Sequence, residues 1–325
     1  MGRRDTDFLA LSSRVRAMET RLIGRSALER MIGAGTDAAA LRVLEECGIQ
    51  TTAIGDAASL SRSLNARLAA DLAEFSGLCP ESALTDFFRL RYDCHNAKAL
   101  LRCSALGTDP DRLLCPGGTV DTALLKNAVF RREFGTLPEA LGAALREAAE
   151  LLNGAGDPQR CDLVLDRWYF FALVDCARRS GCKLLLSLAR LRIDCANLKA
   201  AVRVGRTGRG RELLALALCE GGSVSVERIL AAFEAGDPTG AFVSPLGAAC
   251  AAAAAGEMTE MEAACDNAQN TLCRDAILVP FGDSVIAAYF AARETEIVNI
   301  QIVMAGRAAG LAPERIRERL RDSYV

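Results

Sequence analysis

Two short stretches carry the residue types from which an active site could be built. RLRYDCHNAKALLR, from Arg89 to Arg102, places a carboxylate, a thiol and the chain's only imidazole in succession at Asp93, Cys94 and His95. RLRIDCANLKAAVR, from Arg190 to Arg203, repeats the Arg, Asp, Cys, Asn and Lys positions about a hundred residues later. A cysteine next to a histidine raises the prospect of a thiolate nucleophile with an imidazole base, oriented by the aspartate. Two observations argue against it. Adjacent residues on a helix point about 100° apart, which is poor geometry for a thiolate–imidazole pair. His95 is also replaced by Ala196 in the second copy, so the histidine is no part of the repeated design. The remaining carboxylates form no pair that stands out from ordinary helix-surface charge.

The thirteen cysteines show no CxxC pair and no metal-ligand spacing, and a single histidine makes a zinc site a poor fit. Their odd number and the apolar settings of Cys94, Cys195 and Cys250 predict reduced, buried thiols in an intracellular protein. The Gly- and Arg-rich loop GRTGRGR (205–211) could face a phosphate. It lacks the Lys-Ser/Thr ending of a phosphate-binding loop and has no strand before it, so an interdomain linker is expected. The reading at this point is no catalytic residue, no metal ligand and no cofactor.

The repeated stretches must sit on helices. Phe87, Leu90, Cys94, Ala97 and Leu101 step by three and four, and Leu188, Leu191, Cys195, Leu198 and Val202 repeat the face. A third, degenerate copy lies in YFAARETEIVNIQIVM. There Glu296 takes the place of Asp93 and Asp194, and Asn299 that of Asn96 and Asn197. Phe290, Ile297, Ile300 and Met304 repeat the apolar face, with Arg293 its one break. Spacing of i,i+4 brings Arg89 to Asp93 and Arg190 to Asp194. Asp93 and Asn96, three apart, can both turn to a neighbouring helix end or loop and accept backbone N–H bonds. These six residues, Asp93, Asn96, Asp194, Asn197, Glu296 and Asn299, are expected to act as an architectural pin repeated in each unit; the other reading places them at a partner surface.

The rest of the chain also reads as helix. Phe8 to Met31 carries a helical apolar period that Gly33 and Gly35 close, and a second helix runs from Asp37 to Glu46. A third helix follows Ser59, and a fourth opens at Pro80 and runs to about Leu106. CPGG (115–118), NGAGDP (153–158), EAGDP (234–238) and AGLAP (309–313) are break signals. In the closing LAPERIRERLRDSYV, Ile316 and Leu320 are placed to dock while Arg315, Arg319 and Asp322 stay wet, or else the segment is a partner-binding tail. The expected class is all-α, in three related helical units: 1–114, 115–213 and 214–325. Units of about a hundred residues are domain-sized rather than solenoid repeats.

Composition agrees. Hydrophobic residues make up 51% of the 325, but aromatics only 5%, which favours close helix packing over sheet. The net charge of −2 argues against a general nucleic-acid binder. The longest uncharged run, Thr239–Gly256, contains Pro245 and is mostly Ala and Gly, short of a membrane span.

In order and spacing, these segments resemble one family along nearly the whole chain. SSRVRAMETRLIGRSALERMIGAGTDAAALRVLEECGI looks like its opening Arg-rich helix, FFRLRYDCHNAKALLR and LARLRIDCANLKAAVR like its repeated helices, and YFAARETEIVNIQIVMAGRAAGLAPERIRERLRDSYV like its closing block. The family is that of the C subunits of V-type and A-type ATPases and ATP synthases, whose counterpart in the eukaryotic vacuolar enzyme is the d subunit. The resemblance implies a funnel-like all-α protein of pseudo-threefold character, peripheral on the cytoplasmic side of the membrane. It would act without catalysis as the socket coupling the central stalk to the proteolipid rotor ring, with those subunits as partners and no cofactor, nucleic acid or small-molecule substrate. The alternative is a stand-alone helical adaptor that binds another assembly.

Overall fold

A computed structural model describes residues 4–51, 55–154 and 156–324. Among them the chain is helical with no strand. The α-helices are α1 (Leu9–Glu19), α2 (Arg25–Ile32), α3 (Asp37–Glu46), α4 (Ala57–Leu78), α5 (Ala83–Leu106), α6 (Thr122–Arg131), α7 (Glu139–Gly154) and α8 (Pro158–Ser180). They continue as α9 (Lys183–Arg206), α10 (Arg211–Ala217), α11 (Val226–Glu234), α12 (Gly247–Ala254), α13 (Met258–Arg274), α14 (Asp283–Ala308) and α15 (Pro313–Glu318). The expected all-α class holds.

Helix boundaries follow local chemistry. Thr36 caps α3 by accepting the Ala39 N–H at 3.1 Å, so that helix begins where the sequence places it. Asp56 and Ser59 form a reciprocal capping box that starts α4. Gly107, at φ +65°, closes α5 in the left-handed conformation. The single helix expected from Phe8 to Met31 is instead two, broken between Thr20 and Gly24. Apolar residues continue on both sides of that break, at Leu22 and Leu28, but the N–H of Ile23 leaves the helical ladder for a side chain of α14.

The chain divides into two compact units. One contains 1–81, 182–188 and 243–325. In it α14 packs against α1, α2, α4, α13 and α15, and α12 against α13. Phe290 of α14 meets Phe75 of α4 edge to face, with ring centroids 5.2 Å apart. Arg307, near the end of α14, donates to the carbonyls of Met31, Ile32 and Ala34, satisfying acceptors that the end of α2 leaves open. Ile316 of α15 is buried, while Arg315, Arg319 and Asp322 are exposed.

The other unit contains 82–181 and 189–242. Here α5 and α7 both pack on α8, and α6 packs on α5. The guanidinium of Arg192 covers Phe87 and Phe88, 5.3 and 5.9 Å from the ring centroids. The motif helix α5 is buried on most of its circumference, from Leu84, Phe87 and Phe88 to Tyr92, Ala97 and Leu100. Its polar residues Asp93 and Asn96 are therefore interior. Leu198 of α9 is fully buried too. Leu198→Asp would put a carboxylate into this apolar interior; we expect a loss of more than about 4 kcal/mol in urea unfolding, against under about 1.5 kcal/mol for Leu198→Met.

Candidate functional site

Three long helices, α5, α9 and α14, carry the expected carboxylate–asparagine pairs, and every member is buried. An interior carboxylate or amide is costly unless its lone pairs and protons are matched. On α5, Asp93 takes the Thr119 N–H at 2.8 Å, the Thr119 hydroxyl at 2.6 Å and the Val120 N–H at 3.1 Å. Asn96 grips one residue at both ends: its Nδ2 donates to the Cys115 carbonyl and its Oδ1 accepts the Cys115 N–H, each at 2.8 Å. On α9, Asp194 takes the N–H of Ser223 at 3.0 Å and of Val224 at 3.2 Å. Asn197 grips Cys219 by the same two bonds, each 2.8 Å.

The loops that receive these groups share a pattern that reading the helices alone does not reveal. CPGGTV (115–120) and CEGGSV (219–224) differ only by Pro116 against Glu220 and by Thr119 against Ser223, and the structure gives each matched residue a task. The Cys backbone is held by Asn. Gly117 and Gly221 take φ +102° and +99°. A Cβ on Gly118 would lie 2.1 Å from Asp93 Oδ1, and one on Gly222 would lie 2.2 Å from Asp194 Oδ1. Only glycine lets the loop come that close. The Thr or Ser and the Val then present their N–H groups, and the next residue, Asp121 or Ser225, is the N-cap of α6 or α11. Each pin thus fixes the start of the following helix.

The third copy keeps the logic with different parts. Asn299 grips Arg321, donating to its carbonyl at 3.1 Å and accepting its N–H at 2.8 Å. Glu296 accepts the Ile23 N–H at 2.7 Å, so its donor comes from a segment 273 residues earlier. Ile23 again stands directly before an N-cap, Gly24 of α2. No Gly-Gly pair is needed, because glutamate reaches one methylene further than aspartate. The other Glu296 oxygen pairs with Arg293, itself buried and 3.8 Å from Asp71 of α4. Arg293, the break in the apolar face, is thus the internal counter-charge of this copy.

The expected Arg89–Asp93 pairing takes another form. Arg89 pairs with Asp86 at 3.0 Å and donates to the carbonyls of Gly117 and Gly118, bracing the same loop. Its charge, like that of Arg190 on Asp194, still favours the ionised carboxylate. Burial nonetheless pushes the carboxyls of Asp93, Asp194 and Glu296 above the usual range. None of the thirteen cysteines is in a disulfide; Cys94 and Cys195 are buried as expected, while Cys250 is half-buried. His95 lies on the exposed side of α5 with Nε2 2.9 Å from the Leu113 carbonyl oxygen. Among the described residues no group of His, Cys, Asp and Glu could hold a metal ion.

Two outcomes follow for the pins. Asn197→Ala strands the N–H and carbonyl of the buried Cys219 and should cost about 2 kcal/mol in chemical unfolding. Asp194, with its folded pKa raised above the unfolded value, binds protons more tightly in the folded chain. Its contribution is fullest at acid pH and declines as pH rises from the unfolded value through the folded one. The stability of the wild type relative to Asp194→Asn should therefore fall as pH is raised from about 4 to 7, and parallel stability–pH curves would contradict this.

Comparison with known proteins gives the arrangement its relatives. A family model described as ATP synthase (C/AC39) subunit matches residues 11–319. The C subunit of the V-type ATP synthase of Deinococcus radiodurans is 24% identical over 335 aligned positions, covering 96% of this chain and 90% of that protein. The C subunit of the V-type sodium ATPase of Enterococcus hirae is 22% identical over 252 positions, 75% of this chain and 76% of that protein. At so low an identity the match of the family model across almost the whole length carries the assignment, and the chain belongs to the ATP synthase (C/AC39) subunit family.

Proposed function

We propose that this chain is the non-catalytic central-rotor subunit of a V/A-type ion-translocating ATPase or ATP synthase, the socket that couples the central stalk to the membrane proteolipid ring. The observation that carries the proposal is the recurrence of one asparagine grip on backbone in three long helices, in a chain of the C/AC39 family. A socket that transmits torque must keep its shape under load. A buried two-point grip on the backbone resists shear better than apolar contact, which is non-directional. The three motif carboxylates, Asp93, Asp194 and Glu296, are occupied by backbone donors inside the protein, which suits a structural part.

In this reading the chain is three related units, 1–114, 115–213 and 214–325, with the Leu22–Ile23 segment serving the pin of the third. Their pseudo-threefold arrangement would form a funnel, peripheral on the cytoplasmic side. No helix among the described residues is long and apolar enough to cross a membrane, in keeping with a peripheral seat. Affinity purification of the tagged chain from its native membranes should recover proteolipid-ring and central-stalk subunits together. Recovery of neither would overturn the proposal, and recovery of an unrelated assembly in their place would establish the stand-alone adaptor.

A further inference from the structure

The pins set the starts of α6 and α11, so these two helices can be compared residue by residue. They close in the same way. The N–H of Glu133 returns to the Ala128 carbonyl at 2.9 Å, and that of Asp237 to the Ala232 carbonyl at 3.0 Å. Such a closure needs one residue in the left-handed region, and in each copy it stands eleven positions after the N-cap, Asp121 or Ser225. In the second copy that residue is Gly236, at φ +83°. In the first it is Arg132, at φ +59°, the one non-glycine residue with positive φ among the described residues.

A residue with a Cβ is strained in this conformation, and glycine is not. Nothing within the described chain returns that cost. Arg131 and Arg132 are both exposed, and neither makes an ion pair or a side-chain hydrogen bond there. The favourable charge at the end of the helix is already supplied by Arg131, in the last turn. The preceding residues differ from the second copy as well. Phe130 and Arg131 stand where that copy has Glu234, paired with Arg211 at 2.6 Å, and Ala235. Phe130 is 44% exposed and Leu124 40%, three residues either side of Asn127 on the outward face of α6.

An exposed aromatic ring beside two unpaired guanidinium groups is a residue set that protein interfaces concentrate. We propose that Leu124, Phe130, Arg131 and Arg132 form a docking surface for an acidic segment of a partner protein. Its carboxylates pair with the two arginines, whose planar forks suit them, and an apolar side chain covers Phe130 and Leu124. The surrounding acids select this occupant over an anionic bilayer. Asp121 and Glu133 stand at the two ends of α6, and Asp111 pairs with Lys126 between them. A flat anionic surface would meet these carboxylates together with the arginines, whereas a single segment passes between them. The pin that fixes the start of α6 also holds the surface ready, so little ordering is needed on binding. The surface goes beyond the socket role and does not depend on it.

The test places the photo-crosslinker p-benzoylphenylalanine at Phe130 of the full chain, expressed in cells in place of the native one, and identifies crosslinked peptides by mass spectrometry. The crosslink should fall on another protein, at a segment with more Asp and Glu than Lys and Arg. Adding Arg131→Glu and Arg132→Glu should cut its yield by at least about 5-fold. A crosslink to lipid alone, to a second copy of this chain, or to a neutral or basic segment would overturn the proposal. Absence of any crosslink, or a yield indifferent to the charge reversal, would do the same. Arg132→Gly separates docking from folding, because it gives the first copy the residue of the second. It should raise the thermal midpoint of the isolated chain by about 1–3 °C while lowering the crosslink yield. A midpoint that does not rise, or one that rises with the yield unchanged, counts equally against it.

Discussion

The structure depends on a polar side chain inside a helix core taking the backbone of a distant loop. Asn96, Asn197 and Asn299 each satisfy both the N–H and the carbonyl of one residue 19 or 22 positions away. Backbone groups buried without partners cost about as much as a lost hydrogen bond, so a loop that dives toward a helix must find donors and acceptors there. An amide side chain offers one of each in a fixed geometry, which is why asparagine, and not an apolar residue, occupies the centre of α5, α9 and α14. Placement of α6, α11 and α2 follows, since the residue that each neighbouring carboxylate holds lies directly before the N-cap of one of these helices.

Aspartate and glutamate show how one constraint is met by two solutions. A short carboxylate must be approached closely, and the first two loops do so by giving up a side chain at Gly118 and Gly222. A longer one reaches out, and Glu296 meets Ile23 without any glycine, helped by the buried counter-charge of Arg293. Burial raises the proton affinity of all three acids, which places a standing electrostatic cost at each pin. Such groups contribute definition of register more than net stability, because the desolvation of a charge offsets much of what its partners return.

How legible these features are in the sequence depends on the range of the interaction. Helix class, the limits of α3 and the end of α5 are readable, because caps, glycines and apolar periods act within a few residues. The three polar pairs are visible through their recurrence at fixed offsets. Their partners are not: CPGGTV reads locally as a break because of its Pro and Gly, and CEGGSV carries still less local signal. Only the likeness of the two loops to each other marks them as a matched pair. Nothing local shows that the Ile23 N–H belongs with Glu296, and the apolar residues on either side, Leu22 and Leu28, instead draw one helix through the break.

Repetition followed by divergence separates what every copy must do from what each copy does alone. Where a residue recurs in all copies, as the asparagines do, the task it performs is one that every copy shares, and here that task is to hold backbone. Where a position varies while its setting stays fixed, the setting cannot be what selects the residue. Position 115 and its equivalents 219 and 321 are gripped alike, yet they carry a half-buried cysteine, a buried cysteine, and an arginine that pairs with Asp266 at 2.7 Å. The grip needs only the main chain and leaves the side chain free. That freedom lets the gripped residue vary from copy to copy without loosening the loop.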